Sequence, residues 1–162
     1  MDNPNTITHI TNTTTEQSLY ERDFYEWGLY NAELLRQGRL SEIDIENIAE
    51  ELESMSRRDK REVGNRLKLL IAHLLKWQYQ SIRRSNSWRS TISDQRAQIK
   101  YLIKDSPSLK HSIEVIISES FEDAKVSFED ETGISQKHLP FNCPYSFEQM
   151  MDNRFWPEET II

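Results

Sequence analysis

The stretch HLLKWQYQSIRRSNSWR, residues 73–89, sets the fold class. Leu70, Leu74 and Trp77 sit at helical spacing and end a long apolar stripe. His73, Trp77 and Gln80 follow one another four and three residues apart, so they share a neighbouring face of the same helix. Ser85-Asn86-Ser87 is a helix-start signature, and Trp88 and Arg89 open the next stripe. One helix therefore ends here, the chain turns, and another begins. Two tryptophans, a histidine and three arginines crowd this corner. The plain reading makes the tryptophans core, the histidine a hydrogen-bonded bundle residue, and the arginines solvated or paired with acids. The functional reading makes His73, Trp77, Trp88, Arg89, Gln95 and Arg96 a ligand-binding set, because Trp and Arg suit recognition sites and the Arg fork binds carboxylate or phosphate.

Outward from the corner the same periodicity recurs. Upstream, Ile45, Ile48, Leu52, Met55, Val63, Leu67, Leu70, Leu74 and Trp77 keep close to the helical repeat, with Asp59 standing in the stripe. Ser41 or Asp44 caps the start. The segment SRRDKRE, residues 56–62, is almost all charged, and the spacing predicts a kink or break near Ser54–Ser56. Before it, Leu19 to Gln37 forms a first helix stopped by Gly38. Residues 1–18 hold six threonines and little apolar content, which predicts a loose tail. Downstream, a third helix covers about Ser87–Lys104, with Gln95 in its apolar face needing a partner if buried. A fourth covers about Pro107–Glu131, capped by Ser106 and closed by Gly133. Its last turn holds Glu129, Asp130 and Glu131, which oppose the helix dipole. Ser146 caps a short helix over Phe147 to Met151, and Phe141, Tyr145, Phe147, Phe155 and Trp156 pack the C-terminal piece back onto the helices.

The expected fold is all-α: a four- to five-helix bundle with a short C-terminal helix and an aromatic C-terminal segment packed on it. Residues 1–18 form the tail, 19–157 a single helical domain and 158–162 a frayed end. Length fits one domain, and a charge content of 29% with only four glycines and five prolines argues against a turn-rich β fold. The lone Cys143 excludes an internal disulfide and points to a reducing interior. No apolar run is long enough to span a membrane, and no signal pattern opens the chain, so a cytoplasmic protein is expected.

The net charge of −7 conceals a strong segregation. Residues 1–56 balance to −9, residues 57–104 to +10 and residues 105–162 to −8. Packing of successive helices is expected to neutralise these blocks. The other reading is that the basic middle binds phosphate backbones or an acidic partner, but a pI near 5.2 argues against general nucleic-acid binding.

Templates for chemistry are missing. There is no Gly-rich phosphate loop, nucleophile elbow or dinucleotide fingerprint. The histidines, His9, His73, His111 and His138, include no i,i+4 pair, so the helical zinc motif is absent. His111 and Glu114 fall off the apolar stripe and read as a solvated pair. Glu51 and His73 share a side of the long stripe but meet only if that helix doubles back. No catalytic residue, cofactor or metal ligand is assigned.

The order YERDFYEW, LLRQGRLSEIDIENIAEELESMSRRDKRE, HLLKWQYQSIRRSNSWRSTISDQRAQI, DSPSLK, ETG and CPYSFEQMM resembles the bacterial family catalogued as domain of unknown function twenty-nine. The resemblance covers about residues 19–157. It implies an all-helical, bacterial, cytoplasmic protein and carries over no site residues. The sequence departs from the family pattern at Ser56, where a glycine is common after the ESM string.

Three functions follow as expectations. The leading one is a non-enzymatic interaction or regulatory protein, acting as a homo-oligomer or on a protein partner. The next is a small-molecule or anion-binding bundle, or an enzyme, with its site at the His73–Arg89 corner. The third is nucleic-acid binding through residues 57–104.

Overall fold

The computed structural model describes residues 18–161, so the expected tail lies outside the described residues except for Ser18. Six α-helices and three short 3-10 turns make up the regular structure, with no strand among the described residues. The class is all-α, as the periodicity predicts. The chain forms two compact units, one up to Leu52 and one from Glu53.

In the first unit, α1 (Leu19–Arg22) and α2 (Phe24–Arg36) replace the single helix expected over Leu19–Gln37. Asp23 interrupts it. Its backbone leaves the helical region at φ −150°, and its carboxylate accepts from the Glu26 amide at 2.9 Å. A short acidic side chain competes with the helix for backbone donors, so it favours a cap over an interior position. Ser18 and Glu21 cap α1 reciprocally. Gly38 stops α2 as expected: at φ 69° it lets its own amide reach Leu35 O and the Arg39 amide reach Leu34 O. The core here is small. Trp27 and Leu34 are buried, and Asn31 joins them because its side chain is satisfied twice. It donates to Trp27 O at 3.0 Å and accepts from the Asp44 amide at 2.8 Å. Asp44 accepts from Trp27 Nε1 at 2.9 Å and from the Asn47 side chain at 2.8 Å. These bonds, the Asn47 contact first, hold its carboxyl below the usual range.

Helix α3 is continuous from Ile45 to Tyr79, so the break expected near Ser54–Ser56 does not occur. Asp44 provides the start, with its carboxylate on the Asn47 amide. The charged run interrupts the apolar stripe without interrupting the helix. It contains no proline or glycine, its Arg, Lys and Glu are good helix formers, and Ser56 and Asp59 cost less than about 1 kcal/mol each. Glu53–Arg57 and Glu62–Arg66 pair one turn apart at 3.3 and 2.8 Å.

The second unit builds its core from three helices: the later part of α3, α4 (Asn86–Asp105) and α5 (Ile113–Thr132). Val63, Leu67, Leu70, Leu74 and Trp77 meet Ile92 and Ile99, and Ile116, Phe121 and Phe128 complete the cluster. Ser85 caps α4 through the Trp88 amide. The fourth helix begins later than expected. Pro107–Ser112 winds as 3-10, and Ser106 makes no side-chain cap; its hydroxyl instead donates to Asp59 at 3.4 Å. Gly133, at φ 72°, closes α5 as expected. Helix α6 (Phe147–Met151) carries the expected Ser146 cap, closed into a box by Gln149. The segment after α5 is held down by Leu139, Tyr145 and Met150, all buried in the cluster, with Phe155 and Trp156 packed against it.

Candidate functional site

Trp77 lies in the last turn of α3, where the helix leaves carbonyls without intrahelical donors. Arg84 reaches back from the following turn and donates from Nε to Trp77 O at 2.9 Å. Its positive charge also suits a helix C-terminus. The guanidinium lies 4.9 Å from the Trp77 ring centre. Arg89, one turn into α4, holds its guanidinium 5.3 Å from the same ring and 5.7 Å from Trp156. The two indoles are themselves 4.5 Å apart. Trp77, Arg84, Ser85, Asn86 and Arg89 bound an open cleft of about 570 Å3.

The other sequence-predicted residues divide into three clusters. Arg96 is 1% exposed, donating from Nε to Met150 O and from Nη2 to Phe155 O, each at 2.7 Å. Its guanidinium also sits 5.4 Å from the Trp156 ring. Burial pulls its pKa down, opposed by Asp152. Gln95 finds its partner in Arg66, whose Nη1 donates to Gln95 Oε1 at 3.3 Å. His73 and Trp88 meet through Lys76. That lysine is 5% exposed, bonds Glu131 at 2.6 Å, lies 5.2 Å from the Trp88 ring and is 3.3 Å from His73 Nε2. Leu69 O can only accept, so the 2.9 Å contact to His73 Nδ1 places the proton there and leaves Nε2 as the acceptor for Lys76. Burial first, then Lys76, lowers the His73 pKa, against the pull of Leu69 O and Glu131. Two of the three acids that close α5 have partners. Glu131 neutralises Lys76, and Glu129 accepts from the Gln136 side chain at 2.8 Å.

The ligand-binding set read from the sequence includes Trp77 and Arg89, which lie together, and leaves out Arg84, which stood in the same crowded corner, as well as Lys76, Glu131 and Trp156. The first two carried a signal, since an Arg or Lys in a helix's last turn or just beyond it tends to find the helix end. The last two come from distant segments: the sequence marks Trp156 as packing back onto the helices and Glu131 as opposing the helix dipole, but names no partner for either.

A second cleft, of about 440 Å3, sets Arg57, Lys60 and Arg61 opposite Glu119 and Asp123. Its floor includes Gly64, whose carbonyl accepts from the Ser120 hydroxyl at 3.1 Å. Among the described residues no group of three or more His, Cys, Asp or Glu is placed to hold a metal ion. No helix of the described residues is long and apolar enough to cross a membrane. Cys143 donates to Tyr145 O at 3.6 Å, and burial raises its pKa, which suppresses the thiolate.

The helical order, the Gly-stopped α2 and α5 and the capped α6 all fall in the region where the family model described as "Domain of unknown function DUF29" matches, residues 19–156. The chain belongs to that family. No curated protein and no solved structure matches it. The DUF29 match spans α1 through Trp156 and so includes the Trp–Arg corner.

Proposed function

We propose that this DUF29 protein is a non-enzymatic interaction module that associates with a second copy of itself through its first unit. The observation that carries this reading is the apolar surface of that unit. Tyr25, Leu29, Leu40, Ile45 and Leu52 are each more than half exposed. A shallow groove of about 160 Å3 runs over Gly28 and Ala32 between Leu35, Ile48 and Leu52. Apolar side chains gathered over small residues, and left in water, are what a partner helix covers.

Charge chooses the occupant. Residues 18–56 carry ten Asp/Glu against three Lys/Arg, so the groove has an acidic rim. The complementary surface is basic with apolar side chains, and the chain carries one on α3. Arg58 and Arg61 lie there at three-residue spacing after Met55, all three exposed. An antiparallel second copy brings acidic start against basic middle at both ends. The lone cysteine suits a reducing cytoplasm.

Sedimentation equilibrium tests this. The protein is expected to be dimeric, and Leu52→Glu, at an exposed position, is expected to give a monomer with an unchanged melting temperature. A monomer at all concentrations, or a dimer indifferent to Leu52→Glu and Leu35→Glu, overturns the reading.

A further inference from the structure

We propose that the cleft formed by Trp77, Arg84, Ser85, Asn86 and Arg89 binds a phosphate group, as the dianion of a phosphate monoester. The site lies wholly in the second unit and is independent of the association surface.

Two guanidiniums share one indole. With Arg84 at 4.9 Å and Arg89 at 5.3 Å from the Trp77 centre, their carbons are at most about 10 Å apart. Neither has a carboxylate within ion-pair distance among the described residues, although the chain carries 27 acids. The nearby cations are treated differently: Lys76 is neutralised by Glu131, and Arg96 is consumed by two carbonyls. Arg84 and Arg89 therefore place two like charges within about 10 Å of each other beside an open cleft, with no counter-charge at ion-pair distance among the described residues.

Their geometry leaves donors to spare. Arg84 uses Nε on Trp77 O, which fixes the plane of the fork and leaves both Nη groups for a ligand. The Arg89 guanidinium has no hydrogen-bond partner among the described residues and lies against the two rings. The platform is rigid, since Trp77 is buried in the core and stacked with Trp156. The Ser85 hydroxyl, which accepts from the Trp88 amide, still has its own proton to donate. Two fixed cations with several free N–H groups match a tetrahedral dianion better than a monovalent carboxylate. The guanidiniums lie against Trp77, a residue only 6% exposed, so the cleft offers charge rather than a stacking surface for a nucleobase.

Intrinsic tryptophan fluorescence provides the readout, because two of the four tryptophans, Trp77 and Trp156, lie in the corner. Inorganic phosphate, pyrophosphate and acetate are titrated at low salt into the full chain, with Arg89→Ala and Arg84→Lys in parallel. Saturable quenching by phosphate and pyrophosphate is expected, with acetate much weaker. Arg89→Ala is expected to weaken phosphate binding by about tenfold or more, which is the scale of one lost charge-assisted contact. Arg84→Lys keeps the charge but loses the fork, and is expected to weaken it as well. Arg89 is exposed, so circular dichroism should show an intact fold in Arg89→Ala. The absence of a saturable response to either phosphate, equal affinity for acetate, or phosphate affinity unchanged from the native protein in both variants overturns the proposal. None of these outcomes bears on the dimer.

Discussion

At the scale of single residues, buried polar groups do the fixing. Arg96 ties α4 to the C-terminal segment through two carbonyls, Met150 O and Phe155 O. Arg96→Ala strands both, at about 1–3 kcal/mol each. A lower melting temperature is expected, with faster limited proteolysis after Met150; unchanged proteolysis would show the segment to be held by its aromatics alone. His73 predicts a pH effect. Its folded pKa lies below the unfolded value because of burial and the Lys76 ammonium from α3, offset by Glu131 from α5. The unfolded chain therefore binds the extra proton first, and stability is lost as pH falls through about 6.5. Melting curves at pH 7.5 and 5.5 should show a larger drop for the native protein than for His73→Gln. Equal drops would remove His73 as the source.

At the scale of elements, α3 is the instructive case. An apolar stripe reports which face is buried, and the absence of a stripe over residues 56–62 reports only that the face is wet. Helicity depends on backbone propensity and end groups, and these are unbroken from Asp44 to Tyr79. Ser56→Pro should accordingly cost about 3 kcal/mol or more, since proline removes an interior hydrogen bond and clashes with the preceding turn. Far-ultraviolet circular dichroism and thermal melting measure this; a near-neutral result would mean the helix is already broken there in solution. Asp23 teaches the opposite lesson. The periodicity ran through it, yet one short carboxylate captured the backbone and split the helix.

At the scale of the whole molecule, the basic middle meets the acidic C-terminal block in two places: Lys76 pairs with Glu131, and Arg57, Lys60 and Arg61 share a cleft with Glu119 and Asp123. The basic and acidic blocks were expected to neutralise one another through helix packing. The ion pairs at Glu33–Arg36, Arg39–Glu42, Glu53–Arg57, Glu62–Arg66, Glu122–Lys125 and Asp152–Arg154 are local, and Lys76–Glu131 joins distant segments. Exposed local pairs contribute about 0–1 kcal/mol. Salt should therefore change the melting temperature little, while weakening the proposed dimer, in which whole blocks face each other.

The sequence by itself determined the helical class, the Gly38 and Gly133 stops and the caps at Ser85 and Ser146, because these rest on neighbours within a few residues. It also placed Trp77 and Arg89 at one corner, because a helix end and a helix start meet there. Only the tertiary structure decided which cation keeps a counter-charge. Glu131 reaches Lys76 across 55 residues and Trp156 reaches Trp77 across 79, and no local pattern encodes a contact made by folding back from that far. Partner choice for Arg84, Arg89 and Arg96 was fixed by which backbone carbonyls and rings arrived beside them.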